Sequence, residues 1–167
     1  MHQQYVEALV AEEEAVLQEA VREKKLLRVE RRGTLLVAEV PRVMYAAGAY
    51  GSFANRTLVP LLDRRQESSI VLALGCDNYD TDPPSLAYMA NWETTQELPF
   101  KDWPKGIGVV QQHPVTGKPF LCRPGVREFH THFQHGDEPW DKYRGRIRPR
   151  DLLLTIAKDL RNKQVLG

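Results

Sequence analysis

Along the first 25 residues, Leu9, Val10, Val16, Leu17, Ala20 and Val21 recur at spacings near 3.6 with acidic positions between them, and neither glycine nor proline interrupts the run. That pattern predicts an amphipathic helix that packs one face on the rest of the chain. Residues 26–31 and 34–40 then predict two strands about a turn at Arg32 and Gly33, although apolar and polar residues alternate only in part. Residues 43–59 hold two glycines and several small residues, which argue against a long regular element. Residues 69–75 ("SIVLALG") predict a buried strand. Pro83 and Pro84 force an extended turn, because proline fixes its own φ and disfavours helix in the residue before it. A strand resumes at 85–89, a polar, irregular insertion follows at 92–103, a short strand is expected at 107–112 and a turn at 113–119, and residues 120–122 are a short, half-apolar stretch. From Pro149 a second helix presents Leu152, Leu153, Ile156 and Leu160 on one face, with proline in its first turn and Asp151 near its positive end. Helix, strands, irregular segment and helix in that order predict an α+β fold with an antiparallel sheet of about four strands, the N-terminal and C-terminal helices packed on it, and a single domain over residues 1–167.

Composition narrows the partners. With 23 basic and 22 acidic side chains the formal net charge is +1, so neither nucleic acid nor a membrane surface is an expected partner. No apolar run reaches the length of a membrane span, and the N-terminus lacks the basic-then-apolar order of a secretory signal. The two cysteines, Cys76 and Cys122, make no disulfide framework and are expected as reduced thiols in a cytoplasmic protein.

The chemistry concentrates between residues 120 and 140, "FLCRPGVREFHTHFQHGDEPW", which holds Cys122 and three of the five histidines. Cys122 is the candidate nucleophile. His130, His132 and His135 are candidate bases or oxyanion donors, since imidazole titrates in the range that suits either role; Asp137 is a candidate to orient one of them. The same residues allow a metal reading. On an extended strand His130 and His132 project to one side, and with His135 they offer a set of three imidazoles of the kind that holds catalytic zinc. Cys76, after the apolar run, reads as a part-buried strand-end thiol. Trp92, Trp103 and Trp140 read as packing residues, and the arginines of residues 141–150 as a solvated face or a docking patch for an acidic partner.

Taken in order, these segments resemble the ubiquitin-conjugating enzyme family. That family carries Tyr-Pro-x-x-Pro-Pro; here Tyr79, Pro83 and Pro84 keep the spacing and Asp80 replaces the first proline. It carries His-Pro-Asn about ten residues before its cysteine; here His113 and Pro114 precede Cys122, and Val115 stands in place of the asparagine. A tryptophan and an amphipathic helix follow the cysteine, as Trp140 and the Pro149 helix do here. The segments between Pro84 and His113 and between Cys122 and Trp140 are longer than usual for the family, and the second holds the clustered histidines. The N-terminal helix carries acids where many relatives present bases. The resemblance is therefore to a divergent bacterial branch.

The resemblance implies a ubiquitin-conjugating fold and transfer of a ubiquitin-like protein, carried as a thioester on Cys122, to an amine of a protein substrate. An activating enzyme would load it, and no cofactor would be needed. It implies structural roles at the site for His113, Tyr79, Pro83, Pro84 and Trp140, and it leaves His130, His132 and His135 to replace the missing asparagine. Bacterial relatives also sit among anti-phage defence genes. Two other classes remain at this point: an inactive adaptor of the same fold, and a zinc-binding protein or hydrolase built on the three histidines.

Overall fold

A computed structural model describes residues 2–45, 50–52, 58–60, 65–104, 106–162 and 165–166. Helix α1 (His2–Arg22) opens the chain. Strand β1 (Arg28–Arg32) turns through Gly33, at φ +65°, into β2 (Leu35–Tyr45). Short strands β3 (Tyr50–Ser52) and β4 (Leu58–Pro60) pair with each other. The long strand β5 (Arg65–Gly75) and β6 (Ser85–Met89) follow. The main sheet runs β1-β2-β5-β6, antiparallel throughout. Strands β7 (Val109–Val110) and β8 (Phe120–Leu121) form a small separate ladder. A four-residue helix α2 (Arg127–His130), 3-10 turns at Phe133–His135 and Trp140–Lys142, helix α3 (Pro149–Asn162) and β9 (Val165–Leu166) complete the order.

The fold is α+β, with a four-strand antiparallel sheet and a helix near either end of the chain. Strand alternation divides the apolar residues between the two faces of the sheet. Leu36, Ala38, Val40, Ile70, Leu72, Leu74, Leu86 and Tyr88 join the core formed with Val6, Val10 and Leu17 of α1 and Leu152, Leu153, Ile156 and Leu160 of α3. Val37, Val71, Ala73 and Met89 form a smaller cluster on the opposite face, bordered by Trp92. The Arg28 guanidinium lies 4.1 Å over the Trp92 ring. Because both faces are apolar, the sequence alternates only in part.

Several boundaries differ from expectation. Strand β2 runs to Tyr45, past Pro41 and past the predicted end at residue 40. Strand β9 lies parallel on Met44 and Tyr45, on the edge of β2 that β1 leaves open; the sequence pattern predicts no strand there. The ambiguous stretch 43–59 falls partly outside the described residues. The insertion at 92–103 is anchored, not loose: Trp103 is buried, meets the Tyr88 ring edge-on at 4.8 Å and donates its indole N–H to Leu98 O at 2.8 Å. In α1, Glu13 is fully buried on the core-facing side, and its carboxylate pairs with Arg148 Nε at 2.7 Å and Arg150 Nη1 at 3.6 Å. Those two arginines turn toward α1 and Arg144 pairs with Asp80 at 3.0 Å, while Lys142, Arg144 and Arg146 stay exposed, so the expected solvated face is kept in part. Among the described residues no helix is long and apolar enough to cross a membrane.

Candidate active site

Cys122 stands one residue beyond β8. Phe120 and Leu121 are buried and fix the end of that strand. The Cys122 N–H continues the ladder by donating to Gly108 O at 2.8 Å. Gly108 holds φ +87°, and a Cβ there would lie 3.3 Å from Cys122 O, so this approach requires glycine. The next residue, Arg123, forms an ion pair with Asp159 and ties the cysteine turn to α3. Cys122 is half-buried, and burial pushes its thiol above the ordinary range.

The three clustered histidines occupy different environments. Residues 127–135 are helical turns, not an extended strand, so His130 and His132 do not project from one strand face as the sequence pattern predicts. His130 faces inward. Its Nδ1–H donates to Glu138 O at 2.8 Å, and its Nε2 accepts the Gly125 N–H at 3.0 Å. Both ring nitrogens are thus held by backbone, and burial lowers its pKa. Trp140 and Tyr143 pack against the ring with centroids at 5.5 and 5.1 Å. His132 caps the 3-10 turn, its Nδ1 accepting the Gln134 N–H at 3.3 Å, and its ring leans on Phe120.

His135 meets the thiol. Its Nε2 lies 3.5 Å from Cys122 Sγ. The ring stacks on buried Phe129, with centroids 4.0 Å apart and planes 22° apart. On the far side, Nδ1 lies 3.5 Å from Glu138 Oε2. The backbone explains the pairing: Glu138 N–H donates to His135 O at 2.9 Å, a 3-10-type turn in which side chains three residues apart eclipse. The orienting carboxylate is therefore Glu138 and not Asp137, whose contribution is a backbone carbonyl that accepts from Lys142 Nζ. In the tautomer with its proton on Nδ1, toward Glu138, His135 would present Nε2 to the thiol as an acceptor. This is the order nucleophile, base, orienting acid that activates a weakly acidic nucleophile.

The remaining candidate residues frame this trio. His113 is buried; Val115 and Thr116 each donate a backbone N–H to its Nδ1 at 3.2 Å, and its Nε2 lies 3.1 Å from Glu128 O. It joins the 113–116 turn to α2. The Pro83 and Pro84 carbonyls accept from Arg127, through its Nε at 3.0 Å and its backbone N–H at 2.8 Å, and so seat α2. The Asp80 carbonyl accepts the Trp140 indole N–H at 3.1 Å. Tyr79 is buried, which pushes its phenol up to about 12. Tyr79 to Pro84 thus braces both ends of the histidine segment. Val115 is 79% exposed and brings no side-chain donor.

Cys76 is fully buried, its thiol pushed up to about 12 by burial with nearby Asp77 and Glu13 adding to it, and it is poorly placed to react. Among the described residues no three His, Cys, Asp or Glu side chains gather where one metal ion could sit. Both nitrogens of His130 are taken by backbone groups, and at His135 the thiol and the carboxylate lie on opposite nitrogens of the ring. Compared with protein-family models the chain matches none, and no curated protein matches it.

Proposed function

We propose that the chain is a conjugating enzyme for a ubiquitin-like protein, with a ubiquitin-conjugating fold, and that it carries the modifier's C-terminus as a thioester on Cys122. The observation that carries this reading is the half-buried thiol set 3.5 Å from the Nε2 of an imidazole whose other nitrogen faces a carboxylate. Its support is that the Tyr79–Pro84, His113 and Trp140 segments, in the order the resemblance implies, all contact the 127–140 stretch that carries His135.

In the loading step the Cys122 sulfur attacks the carbonyl carbon of the thioester on the activating enzyme. The thiol proton passes to His135 Nε2 as the new S–C bond forms, and the donor's sulfur leaves with the electron pair of the old one. The protonated imidazole, steadied by Glu138, is then a cationic donor beside the developing oxyanion, where Val115 offers none. In the transfer step an acceptor attacks the Cys122 thioester and the sulfur departs. Cys122 and His135 are the catalytic residues of this scheme and Glu138 is a positioning residue. A bacterial setting with neighbouring genes for the activating enzyme and the modifier fits this scheme.

A second reading uses the same three groups: a cysteine hydrolase in which water discharges an acyl-enzyme taken directly from substrate. One experiment separates the two. The chain is incubated with ATP, its neighbouring activating enzyme and the ubiquitin-like protein, then resolved by intact mass and non-reducing gel. A reductant-sensitive adduct present in wild type and Cys76→Ala but absent from Cys122→Ala is the expected result. No adduct from folded protein and demonstrably active activating enzyme sinks the transferase reading.

A further inference from the structure

Resting on the thioester reading above, we infer that the acceptor class of this site includes aliphatic hydroxyls, those of serine or threonine side chains, and not lysine alone. The inference comes from what each nucleophile needs at the moment of attack. An amine reaches a thioester carbonyl as a neutral base; its proton is lost beforehand, and attack itself needs no catalyst to remove one. A hydroxyl is neutral throughout but too weak to attack unless its proton is taken as the O–C bond forms, which requires a base already in place.

Such a base is built here. His135 is held against Cys122 by a stack on buried Phe129, with Glu138 Oε2 3.5 Å from the far nitrogen. Nε2 lies 3.5 Å from the sulfur that would bear the acyl group, within reach of an oxygen approaching the adjacent carbonyl. The two neighbouring histidines serve the loop's structure: His130 holds the Gly125 N–H and the Glu138 carbonyl, His132 the Gln134 N–H. The imidazole that takes the thiol proton during loading stays beside the sulfur once the thioester has formed, placed to take a proton from an attacking hydroxyl.

The step balances. The acceptor oxygen bonds to the thioester carbonyl carbon, its proton passes to His135 Nε2, the C–S bond breaks with its electron pair going to Cys122 Sγ, and the imidazolium returns the proton to sulfur. The products are an oxyester and the free thiol.

The test has two stages. First, the thioester is formed at about pH 8.5, in wild type, His135→Asn and Glu138→Gln, and freed of ATP; failure to form it in wild type defeats the conjugation reading and this inference with it. Second, each charged protein is given N-acetylserine amide, N-acetylthreonine amide, N-acetyllysine amide or buffer alone at pH 7, and products are read by mass. The expected result is an ester product with a hydroxyl acceptor at a rate at least ~10-fold above hydrolysis, falling ~100-fold in His135→Asn. Glu138→Gln, which leaves the Phe129 stack in place, shifts the pH profile of hydroxyl transfer more than that of lysine transfer. Transfer to lysine only, with hydroxyl acceptors no better than buffer, overturns the inference while the thioester reading stands. So does discharge to water alone, or an equal loss toward both acceptors in His135→Asn.

Discussion

Replacing His135 with asparagine removes a proton acceptor while keeping a polar side chain beside the sulfur, and its effect on loading follows from the state of the thiol. An ordinary cysteine is only a few per cent thiolate at pH 7, and burial pushes Cys122 further toward the thiol. In the proposed scheme the imidazole 3.5 Å away compensates by taking the proton during attack. Positioned bases contribute about 10²–10⁴ in rate. The long sulfur contact and partial exposure argue for the lower end, about 100-fold, or ~2.7 kcal/mol of barrier at 1.36 kcal/mol per tenfold. In the variant only pre-formed thiolate reacts, so its rate should climb about tenfold per pH unit below the thiol pKa, and the deficit should shrink from about 100-fold at pH 7 to nearly none by about pH 9. Loading from a small-thiol thioester of the modifier avoids the activating enzyme's own pH dependence; the reaction is stopped in acid and the adduct weighed. Thermal unfolding of the variant controls for the lost Phe129 stack. A deficit of the same size at every pH would mean structural damage, and an unchanged rate at pH 7 would remove His135 from the mechanism.

Three further outcomes test the scaffold. Burial lowers the folded-state pKa of His130, so the unfolded chain binds more protons in the window between that value and the unfolded value near 6.5; stability is full above the window and is lost as pH falls through it. His130→Gln should flatten the urea-midpoint profile below about pH 6.5, and an unchanged slope there would contradict the assignment. Gly125 sits at φ +94° with the site of a Cβ 2.7 Å from Ile147 Cγ2, so Gly125→Ala should cost about 2–4 kcal/mol and lower Tm by about 8 °C, with a shift under about 2 °C as the contrary result. Glu13→Ala strands Arg148 and Arg150, which are 33% and 27% exposed and so reach some water; the loss should be about 3 kcal/mol in urea unfolding, the low end for breaking a buried pair, and a loss below about 1 kcal/mol would show the pair to be incidental.

The regular elements were legible because their signals are local. The 3.6-residue spacing in α1 and α3, the Gly33 turn and the aliphatic run of β5 each carry their own evidence. Glu13 was legible in principle, since Val6, Val10, Glu13, Leu17 and Ala20 share one helical stripe, but a carboxylate there is read as polar until its arginines, more than 130 residues on, are seen to meet it. Strand β9 was not legible: two residues that pair with a distant strand leave no period to detect. The site was legible as a residue set and not as an arrangement. Assuming an extended backbone put His130 and His132 on one side; the helical turns that exist instead make position 138 the neighbour of His135, where proximity in sequence had favoured Asp137.

The three histidines make sense together once the problem of the loop is considered. Between β8 and α3 the chain has only a four-residue helix and two single 3-10 turns, too little regular structure to aim a side chain by backbone alone. Its orientation comes from side chains that bond to backbone. His130 spans Gly125, three residues past the nucleophile, and Glu138, the residue that orients the base, so one imidazole fixes the distance between the two halves of the site. That role requires His130 to be neutral with its proton on Nδ1; a second proton on Nε2 would face the Gly125 N–H. The base role proposed for His135 asks the opposite, an Nε2 left open toward the Cys122 sulfur. Burial favours the neutral form at His130 and so suits it to the strut, which leaves the proposed base role to the residue whose Nε2 faces the thiol.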